Sequence, residues 1–330
     1  MKDFFALLKE GNKPSLLAAI INTIIAGLKG GAFFLTGNVA MFAEMMHSVG
    51  DAANQYFVFI GSALSKKAPT PKFPNGFGRV VNIVLLFAVL IVGILAYETI
   101  IEGWHHLQHP TQSEGFLIII GVLAIATLLE LFVLYKAGKQ VLSESRIESK
   151  GFDPLVKSFA YLKSAKPATK LVFMEDMVAT SGNLLALTAV LIAHYTGFLE
   201  AEGIVSIIIG CMMFYVVGRI FLENARGAIG ETDEQMLNHI AHLVMDHKDV
   251  RDIKKLEVIK EGEFLHVELV AKVNPDISFA EADDIRDHLV ELILAQHGVE
   301  DVTVSFDEDD GITHWKHVSN RPETLPPLSE

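Results

Sequence analysis

The sequence predicts an α-helical membrane protein, in which a six-helix transmembrane bundle is followed by a small cytoplasmic α+β domain. The first reason is composition: 51% of the 330 residues are hydrophobic and 20% are charged, which is too apolar for a soluble globule. The second is the distribution of charge. Residues 1–230 hold 18 Lys+Arg and 16 Asp+Glu, whereas residues 231–330 hold 9 and 24. A nearly neutral apolar part before an acidic polar part is typical of a membrane domain joined to a soluble one.

Six stretches are long and apolar enough, or nearly so, to cross a bilayer as helices of about 20 residues. They are residues 14–35, 38–64, 80–103, 115–137, 171–195 and 202–222. The first stretch begins too far along the chain, and is followed by too many others, to be a cleaved signal peptide. The short Thr36-Gly37-Asn38 link joins spans one and two in a tight hairpin.

The distribution of basic residues predicts the orientation of these spans. The links around 36–38, 104–114 and 196–201 contain no Lys or Arg, whereas the N-terminal segment and the alternate links are basic. The basic residues are Lys2, Lys9, Lys13, Lys66, Lys67, Lys72, Arg79, Lys139, Arg146, Lys150, Lys157, Lys163, Lys166, Lys170, Arg219 and Arg226. Because cytoplasmic links carry the excess of basic residues, both termini are expected in the cytoplasm, and the membrane is expected to be the cell's inner membrane.

The pattern after Gly230 changes to that of a small soluble domain. The predicted elements are a helix over 233–247, strands over Ile253–Ile259 and Phe264–Val273, a helix over 278–296 and a strand over Val299–Phe306. Ser278 and Glu281 form the capping box that starts the second helix. We therefore expect a transport domain over 1–230, an α+β dimerisation or regulatory domain over 231–310, and a disordered tail over 311–330.

Composition and motifs exclude several classes of protein. Cys211 is the single cysteine, so the chain has no internal disulfide and no cysteine-based metal cluster. The acidic balance disfavours nucleic acid as a partner and favours cations. The sequence lacks HExxH, GxSxG, Walker A and GxGxxG motifs, and we therefore predict no enzyme activity and no tightly bound cofactor.

Ionisable residues at membrane depth are the candidates for function, because burying a charge in a bilayer is costly. Span two carries His47 and Asp51 at an offset of four, on one face of a helix. Span five carries Glu175 and Asp176, and neither span has a Lys or Arg at a similar depth. Imidazole and carboxylate groups bind borderline divalent metals, so we predict a cation site between the two spans. A protonated, hydrogen-bonded seam between helices is the alternative.

Several segments resemble the cation diffusion facilitators, a family of proton-coupled exporters of divalent metals. They are GLKGGAFFLTGNVAMFAEMMHSVGDAANQ, PNGFGR, FMEDMVATSGNLLAL and GRIFLENARGAIGE, and the similarity covers most of residues 10–310. The metal-site residues are most similar to the branch that contains mitochondrial zinc-transporter-like members. The resemblance implies a homodimer, a metallochaperone-like cytoplasmic domain and one transport site between spans two and five.

The resemblance also assigns ligands. His47 and Asp51 match the two ligands of span two, and Asp176 matches the second ligand of span five. Val172 stands where the family has the first ligand of span five, and Glu175, one turn beyond, is the candidate replacement. Three carboxylates and one imidazole form a harder site than the family's zinc site, so zinc is expected first, with manganese, iron and cobalt left open.

Two further family sites are predicted to be lost. Phe73 and Phe77 stand where the link between spans two and three often has histidines. In the soluble domain, Glu268 replaces a histidine, and His266, Glu268 and Asp307 are weak candidates for a remaining metal site.

The sequence therefore predicts a homodimeric antiporter that exports divalent metal ions in exchange for protons. Its expected partners are the metal ion, protons, the lipid bilayer and a second copy of the chain. Two alternatives remain open: a non-transporting membrane sensor or scaffold for metals, and a membrane-bound hydrolase.

Overall fold

The computed structural model describes residues 7–145, 147, 149–162, 167–262 and 264–315. The chain divides into two compact units. The helical unit comprises residues up to Ala63 and Val84–Asn224, and the sheet unit comprises Leu64–Ile83 and the residues from Ala225 onward. Lys2, Arg146, Lys163 and Lys166, which contributed to the predicted orientation, lie outside the described residues, as does Glu263.

The described part of the chain contains six helices of 24 to 30 residues. They are α1 (Lys13–Thr36), α2 (Val39–Ser65), α3 (Val80–Gln108), α4 (Phe116–Glu144), α7 (Pro167–Thr196) and α8 (Glu200–Ile229). Two short helices, α5 (Asp153–Val156) and α6 (Ser158–Tyr161), lie between α4 and α7. The helical membrane fold is confirmed, and each predicted span coincides with one long helix.

Five of these helices in the described chain, all except α2, are long and apolar enough to cross a membrane. Helix α2 is long enough, but Glu44, His47 and Asp51 lower its mean hydropathy. Polar residues inside a membrane bundle are typical of functional positions. That α2 crosses the bilayer remains a prediction.

The α1–α2 hairpin forms because its link contains the residues that end one helix and begin the next. Gly37 has a φ of 66° and its N–H donates to the Phe33 carbonyl at 2.8 Å, which closes α1. The Asn38 side chain accepts from the Met41 N–H at 2.8 Å and caps α2. Small residues, including Ala32, Ala40 and Ala96, are buried in the core of the helical unit, which allows close helix packing.

The sheet unit contains one three-stranded sheet in the order β1-β2-β3, with β1 and β2 antiparallel and β2 and β3 parallel. The strands are β1 (Val250–Glu261), β2 (Phe264–Val273) and β3 (Val299–Glu308). The two helices are α9 (Glu234–Met245) and α10 (Phe279–Leu294), and both pack on the hydrophobic core of the sheet. Ser278 and Glu281 form the predicted capping box. The α+β pattern is confirmed.

The link between α2 and α3 belongs to the sheet unit. Arg79 Nη2 lies 3.0 Å from Glu261 Oε1 at the β1–β2 turn. Gly78 and Gly262 approach so closely that a Cβ on Gly262 would collide with the Gly78 carbonyl, and Gly262 has a φ of 71°. Glycine is therefore required at this turn for both space and backbone conformation.

The end of the described chain packs on the sheet unit. Trp315 lies against the hydrophobic core, and the His314 N–H donates to Asp252 Oδ2 at 2.6 Å. Lys272 donates to the Ile312 carbonyl at 2.8 Å. These contacts extend to residue 315, five residues past the predicted boundary at 310. The remainder of the predicted disordered tail, residues 316–330, lies outside the described residues.

Candidate functional site

Helix α2 places His47 and Asp51 on one face. His47 Nε2 lies 3.4 Å from Asp51 Oδ2, as the offset of four predicts. The His47 side chain is buried, whereas the Asp51 side chain is 41% exposed. The Asp51 carboxyl group is thus the more exposed of the two side chains.

Helix α7 places Glu175 and Asp176 near this pair. Asp51 interacts electrostatically with both carboxyl groups, and each of them is partly buried. Val172, at the position of the missing family ligand, is 48% exposed. Glu223 on α8 also interacts electrostatically with Glu175, and it was not among the predicted ligands. An acidic residue near the end of a predominantly apolar helix could have marked it as a candidate.

The four predicted ligands do not form a closed metal cage. Within the described residues, no three His, Cys, Asp or Glu side chains lie close enough together to hold a metal ion. The structure brings His47 and Asp51 into contact and sets Glu175 and Asp176 within electrostatic range of Asp51. Their role as ligands remains a prediction.

Buried polar atoms without hydrogen bonds concentrate along α2 and α7. The structure shows seven such side-chain atoms in the residues that it describes, and five lie on these two helices. The five are Glu44 Oε1, His47 Nε2, Asp176 Oδ2, Thr180 Oγ1 and Asn183 Oδ1. A buried polar group without a partner is costly, so each of these atoms could accept a partner such as a water molecule or an ion.

A lysine from another span pairs with acids at membrane depth. Spans two and five themselves carry no Lys or Arg near their acids, but Lys29 Nζ on α1 lies 2.7 Å from Glu44 Oε2 and 3.2 Å from Glu130 Oε1 on α4. Asn183 Nδ2 on α7 donates to the other oxygen of Glu130. Lys29 and Glu130 thus form an ion pair between helices α1 and α4.

The link between α2 and α3 presents aromatic rings in place of metal ligands. The rings of Phe73 and Phe77 have centroids 5.1 Å apart. Lys67 lies over Phe77 at 4.6 Å and Lys72 over Phe73 at 5.7 Å. These cation–π contacts place ammonium groups beside the rings, where they would repel a metal ion. The predicted loss of this site agrees with these contacts.

Two of the weak candidates in the sheet unit contact each other, since His266 Nε2 lies 3.5 Å from Glu268 Oε1, but all three also have other partners. His266 Nδ1 lies 2.9 Å from Asp301 Oδ2. Lys255 Nζ lies 3.3 Å from Glu268 Oε2, and its hydrogen bond lowers the pKa of Glu268 below the ordinary value. Lys254 Nζ lies 2.7 Å from Asp307 Oδ2 and lowers the pKa of Asp307 in the same way. Lysine ammonium groups thus pair with the acids that a metal would need.

Two family models match the chain, one for each part. Cation efflux transmembrane domain matches residues 15–227, and Cation efflux protein, cytoplasmic domain matches residues 232–309. The chain belongs to the cation efflux family. The resemblance seen in the sequence is confirmed, and so is an integral membrane domain followed by a cytoplasmic one.

Curated relatives show which members of the family the chain is similar to. The human proton-coupled zinc antiporter SLC30A9, mitochondrial, is 25% identical over 259 residues, which cover 77% of this chain and 44% of that protein. Metal tolerance protein C4 of Arabidopsis thaliana is 24% identical over 250 residues, 74% of this chain and 53% of that protein. Manganese efflux system protein MneS of Bacillus subtilis (strain 168) is 20% identical over 293 residues, 89% of this chain and 94% of that protein. The chain spans about half or less of the first two relatives and nearly all of the third.

Proposed function

We propose that the protein is a proton-coupled antiporter that exports divalent metal ions. His47 and Asp51 of α2 and Glu175 and Asp176 of α7 would hold the ion. The supporting observations are that Asp51 contacts His47, that Asp51 interacts electrostatically with Glu175 and Asp176, and that Asp176 Oδ2 is buried without a hydrogen-bond partner. No ion pair with Lys or Arg is described for Asp51, Glu175 or Asp176, so a cation from solution is their natural partner.

Transport follows from competition between the metal and protons. Carboxylates and imidazole must lose their protons before they bind a metal ion. The metal ion therefore binds to the site from the side of the membrane with the lower proton concentration. Protons that reach the site from the other side then displace the ion. Rocking of helices about a fixed midplane site would alternate the access of the site.

We propose zinc as the first substrate, with manganese as the main competitor. The names of the relatives include a zinc antiporter and a manganese efflux protein. Three carboxylates and one imidazole suit a harder ion than a histidine-rich site does. Iron and cobalt remain in the set of ions to be tested, and the metal is a transported substrate with no role as a cofactor.

We further propose a homodimer in the cell's inner membrane, with both termini in the cytoplasm. The short name of the family model that matches residues 232–309 is ZT_dimer, which supports dimerisation through the sheet unit. The basic links of the sequence support the orientation.

Uptake of metal into sealed proteoliposomes tests the proposal. Zinc, manganese, iron or cobalt is added to the solution outside vesicles that contain the purified protein, with and without a pH gradient across the membrane. We expect uptake that depends on the gradient, and none in vesicles with the Asp51→Asn/Asp176→Asn variant. Metal binding without uptake would contradict transport and would instead support the sensor or scaffold. Hydrolysis of a lipid or peptide without metal movement would support the hydrolase.

A further inference from the structure

A second set of buried polar side chains lies on three helices, two of which also carry the proposed transport site. Glu44 on α2, Glu130 on α4 and Asn183 on α7 converge, and we call these three residues the inner acid cluster. Glu44 and Asn183 are fully buried, and the Glu130 side chain is 13% exposed. The cluster provides five side-chain oxygen atoms from three helices, and the family comparison assigns it no role.

The cluster already holds a cation, which is the Lys29 ammonium group. Its Nζ lies 2.7 Å from Glu44 Oε2 and 3.2 Å from Glu130 Oε1, and Lys29 is 0% exposed. An ammonium group has three donors and no acceptor, and burial in a low-dielectric environment requires anionic partners around it. Lys29 therefore occupies the position that a free cation would take between the two carboxylates.

The oxygens of the cluster exceed what the ammonium group satisfies. Glu44 Oε1 and Asn183 Oδ1 are buried and have no hydrogen-bond partner among the described residues. Gly182 leaves room for this arrangement, because a Cβ there would lie 2.6 Å from Glu44 Oε1. Carboxylate and amide oxygens without nitrogen or sulfur ligands are the donor set of hard divalent ions such as Mn²⁺ and Mg²⁺.

We propose that the inner acid cluster is a second cation site whose resident cation is the tethered ammonium group of Lys29. The ammonium group lies between the two carboxyl groups and, by filling this position, excludes a second divalent ion. The membrane part of each chain then carries one exchangeable metal ion, at the site of Asp51 and Asp176. Lys29 also interacts electrostatically with Asp51, so the fixed charge lies within reach of the transported one.

Replacing Lys29 tests the proposal. The full chain is purified in detergent, dialysed to equilibrium against Mn²⁺, and its bound manganese is measured by mass spectrometry. To separate the two sites, the variants are made in the Asp51→Asn/Asp176→Asn background as well as in the parent. We expect Lys29→Ala and Lys29→Gln to bind one additional Mn²⁺ per chain in both backgrounds. Persistence of the extra ion in the Asn background keeps this result independent of the proposed transport site.

Two control variants give the expected result its specificity. Lys29→Arg keeps the positive charge and should leave the manganese content unchanged. Lys29→Gln/Glu44→Gln removes one acid together with the ammonium group and should lose the additional ion. If Lys29→Ala is monodisperse only when it is prepared with Mn²⁺, this result would also support the proposal, because the metal then replaces the ammonium group. Folded Lys29→Ala and Lys29→Gln without an extra ion would overturn it. Aggregation of both variants in the presence of Mn²⁺ would equally overturn it, because the metal then fails to replace the ammonium group.

Discussion

The acids of the α2–α7 interface and those of the sheet unit differ in their partners. In the sheet unit, Glu268 and Asp307 each pair with a lysine. At the interface, Asp51 contacts His47, and no Lys or Arg ion pair is described for it or for Asp176. Both regions contain the residue types that bind metals. In the sheet unit, however, these acids already form ion pairs with lysines of the same chain.

The difference teaches that the placement of lysine, more than the placement of acids, indicates where a mobile cation binds. An acid that already has an ammonium partner gains little from a metal ion, which must first displace that partner. An acid buried without one has its whole electrostatic interaction available. Glu44 and Glu130 extend the comparison into the membrane, where Lys29 acts as Lys254 and Lys255 do in the sheet unit.

The largest expected effect comes from neutralising an acid that lacks a lysine partner. Asp176→Asn and Asp51→Asn keep the side-chain shape and remove the charge. We therefore expect metal uptake by proteoliposomes to fall by about 100-fold or more. This loss exceeds the roughly 10–100-fold loss of metal affinity or activity that is typical when a residue supporting a ligand is replaced. Asp153→Asn is the matched control, because Asp153 pairs with Lys157 at 3.0 Å, and it should transport like the parent. Unchanged transport and pH dependence in both Asn variants would place the site elsewhere.

A smaller effect is expected at Glu175, which is the candidate substitute for the ligand missing at Val172. Because Glu175 interacts electrostatically with Asp51, Glu175→Gln should weaken metal binding and reduce uptake by roughly tenfold. The measurement is the metal dependence of uptake compared with that of Asp176→Asn. If Glu175→Gln transports like the parent while Asp176→Asn does not, Glu175 is not a ligand and the protein supplies three.

A stability effect is expected where the Lys29–Glu44 pair packs against α7. A methyl group at Gly182 would force Glu44 away from its position, so Gly182→Ala should destabilise the protein by about 1–3 kcal/mol, as overpacking does in a core. Gly121→Ala is the control, since nothing lies within 4 Å of its added Cβ. Thermal unfolding in detergent measures both variants. Equal melting temperatures would show that Glu44 has room to move.

The smallest effect is expected at the exposed pair of Lys254 and Asp307. Lys254 lowers the pKa of Asp307, so the pair stabilises the fold above the unfolded pKa of Asp307, near 4, and this contribution is lost as the pH falls through the lower folded value. Lys254→Ala should therefore slightly destabilise a fragment of residues 231–315 at pH 7. At a pH well below 4 it should leave the stability of the fragment unchanged. Urea unfolding at the two pH values measures this, with Lys248→Ala as an exposed control. A difference that grows on acidification would contradict the assignment.

The sequence was sufficient for most of the architecture because the relevant signals are local. Apolar runs located six long helices, and the alternation in Phe264–Val273 gave β2 with its observed ends. The capping box at Ser278 could be predicted from four residues. Ends that depend on tertiary packing were less accurate: α3 continues to Gln108, five residues past the predicted end, and His106 on this extra turn contacts the Leu199 carbonyl at 3.2 Å.

The candidate site was less predictable because its partners are distant in sequence. The contact between His47 and Asp51 follows from helical spacing, but Lys29 and Glu130 are 101 residues apart. Periodicity cannot reveal such a pair. The available signal was physical: one cation and several acids at membrane depth must be paired within the bundle.

The two helices of the proposed site differ in the compact unit to which their ends belong. Residues 64–83 are held on the sheet unit by Arg79 and Glu261 and by the close approach of Gly78 and Gly262. Helix α2 continues directly into this segment, whereas α7 lies wholly within the helical unit. Asp51 therefore lies on a helix whose last residues belong to the sheet unit, whereas Asp176 lies on a helix that has no residue in that unit.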